Sequence, residues 1–158
     1  MLLFYKYYNP KAKLIVYAGH SFECADRKFS ELFPMLCESV GLPLNTPLIL
    51  YEEVKPTYIE LINHNLYLRQ LEELGDGDII CFQRDVSTLN FELPTVEDYF
   101  RDLVNRVEVT FYNRSDSSDP GFTLILNQKM TYTQVAVAVA DYIKEDMKFI
   151  QFFKPSHL

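Results

Sequence analysis

Along the chain the spacing of apolar residues switches between the period of a strand and that of a helix, and the switches mark the elements. Residues 2–8 are rich in Phe and Tyr, Asn9-Pro10-Lys11 interrupts them, and Leu14-Ile15-Val16-Tyr17 resumes the run, which predicts two strands joined by a loop longer than the tight two-residue type. Phe22-Glu23-Cys24 reads as a further short extended piece. Phe29, Leu32, Phe33, Leu36, Cys37 and Val40 then recur at three- and four-residue spacing, the apolar face of a helix. Asp26 is the expected cap of its free amides and Gly41 its stop. Pro34 cannot donate a helical hydrogen bond. The stripe keeps its phase through it, so one helix with a local distortion is expected. Residues 47–54 read as a strand ended by Lys55-Pro56, and Tyr58-Ile59-Glu60 as a short partner. Leu66, Leu68, Leu71 and Leu74 fit a short helical turn or a packed loop. Gly75-Asp76-Gly77-Asp78 is a turn signal. Ile79-Ile80-Cys81-Phe82, oily on both faces, reads as a middle strand covered by a helix.

One helix laid across a mixed sheet buries both apolar stripes, and this order of elements is that of the ubiquitin-like β-grasp. Residues 85–94 lack a period and read as a linker. Thr95 is placed to cap a helix over Val96–Asn105, with Tyr99, Phe100 and Leu103 on its apolar side. The pattern then restarts. Val107–Phe111 alternates, 113–121 is polar, 122–126 is apolar, and Thr131, Val135, Val139 and Ile143 lead a second amphipathic helix. Phe149–Phe153 is a third strand candidate. The two halves share a strand–strand–helix–strand order, a topological repeat. The fold class is therefore α+β: tandem ubiquitin-like β-grasp domains, the second incomplete. The expected boundaries are a domain over 1–85, a linker and connecting helix over 86–105, and a partial domain over 106–158 whose apolar surface needs a neighbouring domain or partner chain to cover it.

Composition narrows the function. With 158 residues, 48% hydrophobic, the chain has material for a core, and its 11 Tyr and 12 Phe, spread from end to end, exclude a disordered chain. The formal charge of −7 comes without any cluster of Lys and Arg, so no nucleic-acid partner is expected, because phosphate neutralisation supplies most of that affinity. An acidic surface favours basic proteins or peptides. Cys24, Cys37 and Cys81 have no CxxC spacing and read as small buried hydrophobes in a reducing compartment. The longest apolar run, near Val135–Ala140, falls short of a membrane span, and residues 1–8 are too short and too aromatic for a signal peptide. A soluble fragment of a larger nuclear or cytosolic protein is expected, with no membrane partner.

A nucleophile needs a base in reach and a third group to orient it. His20, His64 and His157 recur with no cysteine or acid at helical spacing, and read as surface or turn residues. No fingerprint of a zinc protease, a serine hydrolase, a phosphate loop or a dinucleotide site occurs, so no catalytic residue, cofactor or metal is expected. Negative charge is concentrated instead. Glu72, Glu73, Asp76 and Asp78 fall within seven residues with no Lys or Arg among them. Their mutual repulsion is relieved by a cationic partner, to which carboxylates form charge-assisted bonds. Leu71, Leu74 and Ile79 flank them as apolar anchors. Glu52 and Glu53, adjacent on a strand, point to opposite faces and form no joint site.

The wording of Leu2-Leu3-Phe4-Tyr5-Lys6-Tyr7-Tyr8, Leu50-Tyr51-Glu52-Glu53-Val54-Lys55-Pro56, Asp76-Gly77-Asp78-Ile79-Ile80-Cys81-Phe82-Gln83, Glu97-Asp98-Tyr99-Phe100-Arg101-Asp102-Leu103 and Asp119-Pro120-Gly121-Phe122 resembles the C-terminal region of the herpesvirus-associated ubiquitin-specific proteases. The resemblance covers essentially the whole chain and implies the second of five ubiquitin-like domains followed by most of the third. It further implies a nuclear and cytoplasmic thiol protease whose catalytic domain lies outside this chain. Its second ubiquitin-like domain would bind Lys/Arg-rich peptides of substrates and regulators, viral ones included, through an acidic loop matching Glu72, Glu73, Asp76 and Asp78. The family commonly has Asp-Glu-Leu-Met where this chain has Glu72-Glu73-Leu74-Gly75, which moves one carboxylate outward and removes an apolar side chain. The competing expectation is a structural spacer that orients neighbouring ubiquitin-like and catalytic domains.

Overall fold

The aromatic start of the chain forms a hairpin in which β1 (Leu2–Asn9) pairs antiparallel with β2 (Leu14–Phe22). Asn9 shapes the turn, its side-chain oxygen accepting from the amides of Lys11 at 3.1 Å and Ala12 at 3.2 Å. β3 (Leu48–Lys55) and β4 (Tyr58–Ile62) form a second antiparallel pair. β5 (Asp78–Arg84) runs parallel to β1 and antiparallel to β3, so the five-stranded sheet has the order β2-β1-β5-β3-β4. The oily run around Ile80 thus occupies the centre of the sheet. This computed structural model describes residues 1–154, and the chain divides into two units, Met1–Arg101 and Asp102–Leu158.

In the first unit both faces of the sheet are used. On one, Leu3, Tyr5, Leu50, Ile80 and Phe82 pack with Phe29, Leu32, Leu36 and Cys37 of the helical segment, where each buried large apolar side chain contributes about 1.5–3 kcal/mol. On the other, Tyr8, Tyr51 and Cys81 meet Val96 and Phe100 of α2 (Val96–Val104). The approach to α2 is tied to the sheet by polar bonds. Fully buried Gln83 donates to Pro94 O at 2.9 Å and accepts from Val96 N at 2.7 Å, and Tyr8 Oη donates to Leu93 O at 2.6 Å.

Several local expectations are corrected. The first helical segment is a 3₁₀ turn, Phe29–Leu32, followed by α1 (Phe33–Ser39), with Pro34 in the first turn of α1. There its missing N–H is no loss, because first-turn amides lack intrahelical acceptors anyway. Asp26 caps neither piece and instead pairs with Arg69 at 2.7 Å. Gly41 does stop the segment, at φ +70°. Phe22 closes β2 rather than starting a separate piece. Cys37 and Cys81 are buried, whereas Cys24 is exposed, lying just past the end of β2. His20 is exposed within β2 and His64 in the turn after β4; His157 lies outside the described residues.

The second unit holds β6 (Arg106–Phe111), paired antiparallel with β7 (Phe122–Asn127), and α3 (Tyr132–Ile143). Thr131 and Gln134 cap α3 reciprocally. Strand, strand and helix therefore recur in the order of the first unit. The strand expected at 149–153 does not form. Asp146 accepts from Lys148 N at 3.0 Å and starts a 3₁₀ turn over Met147–Phe149, and residues 150–154 carry no regular structure. Their aromatics pack locally, with the Phe152 ring 5.5 Å from those of Phe111 and Tyr132.

Candidate functional site

The acidic loop is built by its own backbone requirements. A 3₁₀ turn over Leu68–Gln70 carries buried Leu68 into the core, Leu74 is buried behind the loop, and Gly77 takes φ +97°, a conformation that favours glycine. Two of the four carboxylates hold this shape. Asp76 Oδ1 accepts from Leu2 N at 2.7 Å while Gly77 N donates to Leu2 O at 2.9 Å, stitching the loop to the start of β1. Asp78 Oδ2 accepts from Gly75 N at 2.7 Å. Each Asp keeps a second oxygen. Glu72 and Glu73 are exposed and have no such structural duty. Among the described residues, none of the four is paired with a Lys or Arg.

The structure adds two acids that sequence spacing missed. Glu52 on β3 stands opposite Glu60 on β4, on the face of the sheet that carries Leu50 and Ile80. Burial, and then the charges of Asp78, Glu60 and Glu73, hold the Glu52 carboxyl above the usual glutamate range. Glu52 also stands opposite Ile80 on β5, so Asp78, two residues earlier on that strand, lies on the same face as Glu52 and Glu60. The missed signal was the hairpin register: a strand after Lys55-Pro56 that reverses onto β3 puts Glu60 across from Glu52. Glu53 points the other way, as alternation requires. It binds Lys6 Nζ at 2.7 Å and accepts from Cys81 Sγ at 3.5 Å, and burial with the Glu53 charge drives that thiol far above its ordinary range. Cys81 is thus an inert core group rather than a nucleophile.

The first unit is a ubiquitin-like β-grasp module, in which Asp78 of the loop shares a face of the sheet with Glu52 and Glu60. The chain belongs to the family of the ICP0-binding domain of ubiquitin-specific protease 7, whose model matches residues 1–157. It is similar to ubiquitin carboxyl-terminal hydrolase 7 of Drosophila melanogaster, 35% identical over 156 residues that cover 96% of this chain and 14% of that protein. Ubiquitin C-terminal hydrolase 12 of Arabidopsis thaliana is 30% identical over 92% of this chain and 13% of its own length. Ubiquitin carboxyl-terminal hydrolase 5 of Schizosaccharomyces pombe is 29% identical over 85% of this chain and 13% of its own length. The chain therefore spans a small part of the curated relatives it matches.

Proposed function

We propose that this chain is a non-catalytic interaction module of a nuclear and cytoplasmic ubiquitin-specific thiol protease, equivalent to its second ubiquitin-like domain and most of the third. It binds Lys/Arg-rich linear peptides of substrates or regulators, viral proteins among them, through Glu72, Glu73, Asp76 and Asp78. The description of the matching family as ICP0-binding supports a protein partner. The observation that carries the reading is the run of four loop acids with no Lys or Arg of the described residues paired to it, of which Asp78 shares a face of the sheet with Glu52 and Glu60. An exposed ion pair is worth only about 0.2–1 kcal/mol, and micromolar affinity needs about −8 kcal/mol. Several pairs must therefore act together, helped by half-buried apolar neighbours such as Leu71 and Ile79. The other half of the chain serves contacts with neighbouring domains of the protease.

The test is a titration of a Lys/Arg-rich peptide against wild type, Glu72→Gln/Glu73→Gln and Asp76→Asn/Asp78→Asn. The amide variants remove charge while leaving an oxygen to accept from Leu2 N and Gly75 N. Each double variant is expected to weaken binding roughly tenfold, equivalent to about 1.4 kcal/mol. Unchanged affinity in both would remove the loop from the binding surface.

A further inference from the structure

Glu52 and Glu53 are neighbours in sequence with opposite circumstances. Glu53 faces Lys6, which neutralises it. Glu52 is only 9% exposed, yet its carboxylate has no hydrogen bond or ion pair among the described residues. The charges that raise its carboxyl are of its own sign: Asp78 at the start of β5 on the same face of the sheet, Glu60 across the hairpin on β4, and Glu73 in the loop. Glu60 is itself held by Tyr58 Oη, which donates to its Oε1 at 3.2 Å. A carboxylate in that position has two ways to relieve its charge. One is to take up a proton, and the other is to receive a cation supplied from outside.

We propose that Glu52 links the acidic surface to pH, a bound cationic side chain and a proton competing for the same carboxylate. The proposal rests on the peptide-binding reading above. Charged Glu52 is the form that attracts Lys or Arg, so binding at mildly acidic pH releases a proton from Glu52, and affinity falls as the medium becomes more acid. A ligand ammonium does at this site what Lys6 does permanently for Glu53.

The experiment is isothermal titration calorimetry with an oligolysine peptide, between pH 7 and about pH 4.5, in buffers of different ionisation enthalpy. Proton release is read from the dependence of the heat on buffer. Wild type is compared with Glu52→Gln, and carboxyl NMR shifts of Glu52 in wild type report its titration without any substitution. The expected wild-type affinity exceeds that of Glu52→Gln roughly three- to tenfold at pH 7, and the two converge at the acid end. Wild type releases more protons than the variant on binding near pH 5. Peptide binding with the same pH dependence and the same proton release in both proteins would overturn the proposal while leaving the binding reading intact. Absence of peptide binding by wild type at pH 7 would overturn both. A Glu52 carboxyl shift that titrates identically with and without peptide would overturn the proton linkage even if the variant failed to fold.

Discussion

At the scale of single residues, charge environment decides what each carboxylate and thiol does. Glu52 costs the folded state something at neutral pH, because its carboxyl is held above the usual range by burial and by Asp78, Glu60 and Glu73. A raised carboxyl binds its proton more tightly when folded, so the cost is full above the raised value and disappears as pH falls to the unfolded value of 4.5. Glu52→Gln is therefore expected to raise the melting temperature at pH 7 by up to ~2–4 °C, the shift that about 1 kcal/mol gives for a chain of this size. That gain should vanish near pH 4, and a gain that persists there would mean the effect is not electrostatic. Tyr51, on the opposite face, has its phenol pushed up to about 12 by burial and then by Glu97, Asp98 and Asp85, which fits its place under the acidic first turn of α2. The cysteines separate in the same way. A thiol reagent applied to the native protein should label Cys24 and spare Cys37 and Cys81, with mass spectrometry of the digest as the readout. Fast labelling of Cys81 would contradict its burial at 1% exposure.

At the scale of elements, the sequence was legible wherever a period ran uninterrupted and misleading where local chemistry interrupted it. The five strands of the first sheet follow from their apolar and aromatic runs between turn residues, and α3 from its helical spacing. Pro34 kept the apolar phase but belonged to a first turn rather than to a helix interior, because a 3₁₀ turn and an α-helix in succession can share one stripe. Pro34→Ala should accordingly change stability by less than about 1 kcal/mol. A gain approaching ~3 kcal/mol, the cost of an interior proline, would restore the single distorted helix. The aromatic run at 149–153 had strand composition, but the Asp146 cap turned its start into a 3₁₀ turn and the run pairs with neither β6 nor β7. Gln83 was invisible as a structural residue, since nothing in the sequence says that a central strand will point an amide at the start of a helix. Gln83→Leu should cost about 2–3 kcal/mol in urea unfolding, because Val96 N and Pro94 O would lose a buried partner. Retained stability would show that those groups find other partners.

At the scale of the whole molecule, the net charge of −7 is not spread evenly in its consequences. Most acids near Arg are spent on local pairs, such as Glu97 and Asp98 with Arg101 and Glu23 with Arg27. The loop acids and the Glu52–Glu60 pair are not. Four of those six acids were readable from the chain, because Glu72, Glu73, Asp76 and Asp78 are close in sequence. The other two required the register that sets Glu60 against Glu52, and the division of labour within the loop required the amides of Leu2 and Gly75. The most direct measurement is a two-dimensional amide NMR titration with a Lys/Arg-rich peptide. Shift changes should concentrate at residues 71–79 and around Glu52 and Glu60, and shrink steeply with added salt. Changes centred instead on β6, β7 or α3, or insensitive to salt, would contradict an electrostatic acidic surface as the binding site.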